Sequence, residues 1–347
     1  MLHRPTAAFA LLAMMMTLTI VGGCRKDAEE QAAQTPLQSS AVTKRFAQAQ
    51  SRAVHRPDDA AAQVAFGKLA LEHAAYNDAY RAYRRAAVLD PKNYEAVVGL
   101  AQTNLKLQNP TEGLDWLARA KKLRAADPEL KELEARLLLI NGNFDKSIAA
   151  FESALKMNPK RVTTWLNLAS AYSLMNRPAD AVRTAREAVK VDRLDPAPQY
   201  ALGRHLERAK DYIGAEAAYR KALSLDTGNA SVMTSLARLL MKQNRRLEEA
   251  RQMAIKASQL RIDRADAAVV AAWILHLQGD DRKCANELIK LVNASPQNPE
   301  AWQKLSVVLS NLGKTAEASK AAEMARRFIP GRRAAADLRM LDSGGAQ

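Results

Sequence analysis

The sequence predicts an all-α chain: a superhelical solenoid of about eight helix-turn-helix repeats with a C-terminal capping helix. Three observations point there. Apolar residues make up 48% of the 347 residues but aromatics only 5%. The apolar surface is therefore mostly Ala and Leu, which suits closely packed helices better than a bulky sandwich core. Small residues recur on a 34-residue frame along most of the chain. Prolines keep the same beat: Pro57 to Pro91 and Pro296 to Pro330 are each one full period.

The chain opens with "MLHRPTAAFALLAMMMTLTIVGGC". A short basic region at His3 and Arg4 precedes an apolar run from Ala7 to Val21, then Gly22 and Gly23. That three-part layout predicts a signal peptide over residues 1–23, and the run is short for a membrane span of roughly 20 residues. "VGGC" resembles the lipobox of bacterial lipoproteins. The resemblance implies acylation at Cys24, with cleavage just before it. Chains linked there would hold the protein on a bilayer at roughly 0.8 kcal/mol per buried methylene. In proteobacterial lipoproteins an Asp directly after the cysteine favours the inner membrane. Here Arg25 follows, so the resemblance implies the outer membrane, facing the periplasm. Cys24 and Cys284 alone make no disulfide framework.

Residues 24–57 read as the lipidated cysteine and a polar tether, "RKDAEEQAAQTPLQSS", running to about Ser40. Within that span "AVTKRFAQAQSRAVH" forms a candidate amphipathic capping helix through Val42, Phe46, Ala49 and Ala53.

Residues 60–330 carry the repeats. Near the middle of each first helix stand Gly67, Ala101, Ala135, Ala169, Gly203, Ala237, Ala272 and Ser306. Early in each second helix stand Ala79, Gly113, Ser147, Ala181, Ala215, Ala250, Cys284 and Ala318. Later in that helix come Ala86, Ala120, Ala154, Ala188, Ala222, Ala257, Leu291 and Ala325, with only Leu291 large. Where helix axes approach to about 8 Å, nothing much bigger than a methyl group fits between the backbones. With Trp165, Leu168 and Tyr172, or Trp302, Leu305 and Pro330, these columns resemble the tetratricopeptide repeat. Ala185 and Arg193 depart from it, standing where the family has an aromatic residue and a proline. Residues 331–347 are read as a capping helix, Ala334 to Leu341, and a frayed tail.

No catalytic or metal motif appears, and neither an enzyme nor a cofactor is expected. The histidines His3, His55, His73, His205 and His276 share no spacing. His205 is expected to be solvated, Cys284 to be a buried structural thiol, and "QGDD" at Gln278–Asp281 to be a turn. Binding is the better prospect. The tetratricopeptide resemblance implies a concave groove lined by first helices. The residues predicted to face it include Arg136, Asn167, Tyr200, Arg204, Arg208, Arg238 and Trp273. Arginine forks suit carboxylates and phosphates, while Tyr and Trp can stack on sugars or peptide planes. The carboxylate clamp of chaperone-binding relatives is incomplete, since its nearest set is Glu132, Arg136 and Asn167, then Ala197 and Ala201.

Net charge is +15, which favours anionic partners. The leader argues against nucleic acid. The resulting expectation is a non-catalytic, membrane-anchored periplasmic scaffold that holds extended segments of envelope proteins during assembly of a pilus, secretion or exopolysaccharide-export machine. The alternative is a protein binding an acidic polysaccharide or other anionic ligand through the same basic, aromatic groove.

Overall fold

The computed structural model describes residues 36–124, 127–260 and 264–328. Cys24 and its leader, Pro330 and the predicted capping helix Ala334–Leu341 lie outside the described residues. Regular structure among the described residues is helical throughout, and the chain divides after Lys210 into two compact units.

The first unit contains α1 (Pro36–His55), α2 (Ala60–Glu72), α3 (Tyr76–Leu89), α4 (Tyr94–Lys106), α5 (Pro110–Leu123), α6 (Pro128–Ile140), α7 (Phe144–Met157), α8 (Val162–Leu174), α9 (Pro178–Val191) and α10 (Pro196–Arg208). The second contains α11 (Tyr212–Leu225), α12 (Ala230–Lys242), α13 (Leu247–Gln259), α14 (Arg264–Leu277), α15 (Asp281–Ala294), α16 (Pro299–Asn311) and α17 (Thr315–Arg327). Within each unit successive helices pack on one another, and first helices two elements apart also meet: α6 with α8, α8 with α10, α12 with α14, α14 with α16. Each unit is an all-α solenoid. The fifth helix pair of the predicted frame is divided, with α10 closing the first unit and α11 opening the second.

The boundaries follow local chemistry. Asp59, Asn93, Asp127, Asp195, Asn229 and Asn298 precede first helices, and each side chain accepts a hydrogen bond from a backbone N–H in the opening turn. Those N–H groups otherwise lack partners at a helix start. Pro110, Pro178, Pro196 and Pro299 sit at the start of their helices, where the missing N–H costs nothing.

The small-residue columns lie at the helix crossings. Ala101, Ala135, Ala169, Ala237, Ala215, Ala222 and Ala257 are fully buried, and Gly203 is buried with them. Two positions depart. Ser306 is only half-buried and Leu291 packs at the margin of the core, both near the C-terminal end of the second unit. Bulkier side chains fill the space beside these crossings. The buried Tyr83 ring lies against two backbones: a Cβ added at Gly67 would meet it at 3.0 Å, and one at Gly99 at 2.4 Å.

The predicted tether is shorter than expected, because α1 begins at Pro36 rather than beyond Ser40. A proline suits the first helical position, and no glycine or proline interrupts the chain from there to His55. Phe46, Ala49 and Ala53 turn toward the first pair as predicted, but Val42, expected on the same stripe, is exposed. Phe46 meets the ring of Phe66 at 5.6 Å and that of His73 at 5.3 Å, and Gln63 Nε2 donates to the Ala53 carbonyl at 2.8 Å.

Candidate functional site

In the first unit, α6, α8 and α10 bring together most of the residues predicted to bind. Glu132 on α6 is buried, yet its carboxylate is occupied: Arg161 Nε lies at 2.7 Å and the Thr164 hydroxyl donates at 2.9 Å, both from α8 or its start. This carboxylate pins one first helix to the next rather than facing a ligand. Arg136, one turn along α6, is half-buried. Asn167 is buried on α8, which corrects its expected place on an open groove wall. Tyr200, Arg204 and Arg208 follow at four-residue spacing on α10, so they share one helix face. The Arg204 guanidinium lies 5.9 Å from the Tyr200 ring centroid.

His205, expected to be solvated, is half-buried instead. Desolvation, helped by Arg204 and Arg208, pushes its pKa down to about 4. Cys284 is buried as expected, and its thiol is pushed up to about 12 by desolvation. "QGDD" is a turn: Gly279 takes a φ of +86°, and Asp280 caps α15.

The second unit assembles a tighter cluster from α12, α14 and α16. Lys304 Nζ lies 4.1 Å from the Trp273 ring centroid, and the His276 ring packs against the same indole at 4.4 Å, tilted by 42°. His276 Nδ1 is in turn 2.5 Å from Asp281 Oδ1. Trp273 is therefore no bare platform for a sugar ring. Lys304 and Arg238 share one carboxylate at long range, Glu300, at 3.8 Å and 4.0 Å. Desolvation lowers the Lys304 pKa; Glu300 opposes this and Arg238 adds to it. Arg238 and Lys304 thus have a single carboxylate within 4 Å between them, and neither holds it closely.

Lys304 and Glu300 were not singled out from the sequence. Lys304 occupies the same place in the 34-residue frame as Asn167, two residues before the small column, and that position could have found it. Among the described residues no group of His, Cys, Asp and Glu could hold a metal ion.

Comparison with known proteins agrees with this geometry. The tetratricopeptide-repeat family model matches twice in tandem, over residues 70–137 and 138–204. Each match spans about two of the helix pairs described above. The chain is a tetratricopeptide-repeat protein. Curated relatives of the tetratricopeptide chain include the peroxisomal targeting signal receptor of Saccharomyces cerevisiae, 32% identical over 76 residues, covering 22% of this chain and 12% of that protein. Mouse protein O-mannosyl-transferase TMTC3 is 24% identical over 186 residues, covering 50% of this chain and 20% of that one. The chain thus spans a fifth or less of the length of these two relatives. Among solved structures, the Cut9–Hcn1 hetero-tetramer of the APC/C aligns with a TM-score of 0.53 at 10% identity, covering 82% of this chain and 56% of that chain. A human IFIT1 dimer with m7Gppp-AAAA aligns at 0.52 and 15% identity, covering 78% and 72%. At these identities the likeness is one of fold.

Proposed function

We propose that this protein is a non-catalytic scaffold, lipid-anchored through Cys24 at the periplasmic face of the bacterial outer membrane, that holds extended segments of envelope proteins during assembly of a larger machine. The observation that carries the binding part is the cluster on α12, α14 and α16. There Arg238 and Lys304 have one remote carboxylate between them, and a partner's acidic side chain would complete their pairing. Arg204 and Arg208 on α10 offer a second cationic face. A relative named as a targeting-signal receptor is compatible with the holding of a peptide segment. The anchoring part rests on the lipobox-like "VGGC" and on Arg25 after it. No described helix is long and apolar enough to cross a membrane.

Protein is favoured over polysaccharide because both aromatic groups expected to stack on sugars already face cations or a histidine. A photoreactive residue placed at Arg204 or Trp273 in cells should form protein adducts, whereas one at Arg186 or Lys221, exposed on second helices, should not. Equal adducts from second-helix positions, or glycan in place of protein at Trp273, would refute the reading.

A further inference from the structure

α1 covers the first repeat with one face and leaves the other open. Its inward residues are Phe46, Ala49 and Ala53. A turn of 100° per residue then places Lys44, Arg45, Gln48 and Arg52 together in one sector that flanks the buried stripe, and all four are exposed. The helix contains no Asp or Glu anywhere in its twenty residues. No described carboxylate pairs with Lys44, Arg45 or Arg52, whereas Arg85, Arg161, Arg177, Arg183 and Arg220 each hold one within 3 Å. Among the described residues this cationic helix face has no neutralising carboxylate.

Its position along the chain says what it meets. Cys24 precedes Pro36 by only twelve residues, and covalent geometry alone limits that separation to about 43 Å. A chain acylated at Cys24 therefore keeps α1 close to the bilayer throughout its life. Electrostatic attraction fades beyond a Debye length of about 8 Å at physiological salt, so such a face contributes only when laid on the surface itself. We propose that the cationic face of α1 docks on anionic phospholipid headgroups, orienting the first unit on the membrane that holds its lipid. This inference rests on the anchoring reading above.

The test uses the full acylated chain with Gln48→Cys carrying an environment-sensitive fluorophore; Cys284 is buried and its thiol stays protonated. The protein is reconstituted into phosphatidylcholine vesicles with or without roughly a third phosphatidylglycerol, the anionic lipid supplying the surface potential. Docking predicts a blue-shifted emission only with phosphatidylglycerol. High salt, or the triple variant Lys44→Glu, Arg45→Glu, Arg52→Glu, should abolish the shift while the chain still floats with the vesicles. A probe that emits as in water on phosphatidylglycerol vesicles, with the chain still attached, overturns the docking and leaves the anchor standing. An equal shift in neutral lipid overturns it too, since charge would not be the cause. A shift given by dissolved polyglutamate but not by the vesicles assigns the face to a soluble polyanion. A chain that floats with neither vesicle defeats the anchor, and the docking with it.

Discussion

Tyr83 shows how much a single absent methyl group matters. Its ring occupies the space that side chains at Gly67 and Gly99 would need, and the ring itself is buried. Gly99→Ala would press a methyl group into the ring at 2.4 Å, and overpacking of this kind costs about 1–3 kcal/mol. Urea denaturation should show the loss; an unchanged midpoint would mean that the ring has room to move. His205 sets a second test at this scale. Its folded pKa of about 4 lies below the ~6.5 of an unfolded histidine. Between those values the unfolded chain binds more protons, so stability should fall as pH drops from about 6.5 toward 4 and level off below. The His205→Gln variant should flatten that part of the urea-derived stability profile. A slope kept intact in the variant would assign it to other groups. Nothing in the residues around His205 foretold this, because exposure of a single helical side chain depends on what packs over it.

At the scale of the hairpin, the turns inside the helix pairs share one unusual feature. A residue with left-handed backbone recurs at Ala74, Gln108, Gly142, Asn176, Lys210, Asn244, Gly279 and Gly313. In most of these turns the N–H of the residue immediately after the left-handed one donates to the carbonyl five positions back, as in Ala75 to Ala70 at 2.8 Å and Lys314 to Leu309 at 2.9 Å. This closes the first helix with the bond pattern of a Schellman motif. Only three of the eight are glycine, although the left-handed region costs an L-residue roughly 1 kcal/mol or more. Ala74→Gly and Gln108→Gly should therefore each stabilise the protein by about 0.5–1 kcal/mol, measured as a rise in the urea midpoint. A fall would show that side-chain contacts at those positions outweigh backbone strain. The crossings were legible in the sequence because steric exclusion acts on residue size whatever the partner. The left-handed turns were not, since Ala74, Gln108 and Lys210 carry no glycine signal. Lys304 escaped for a different reason: its importance comes from the distances to Trp273 and Glu300, which a column of residue types does not contain.

Across the whole molecule, the predicted stripe of binding residues is distributed over two units. Arg136, Asn167, Tyr200, Arg204 and Arg208 belong to the first, Arg238 and Trp273 to the second. Each unit presents its own face of first helices, and the cation pair sharing a remote carboxylate described above lies in the second. The period of the sequence does not mark the division at Lys210, because the small columns run through it without a break. Within a unit, stability should behave as a sum of hairpin and nearest-neighbour terms. A stack whose hairpins are held by their neighbours alone should fail locally. Ala169 on α8 is fully buried at a crossing, and Ala169→Leu should cost about 1–3 kcal/mol there. Native-state hydrogen exchange on that variant is the most direct measurement. Protection should fall in α7, α8 and α9 while α2 and α3 keep that of the parent protein. Uniform loss across the first unit, or no loss at all, would contradict the stack.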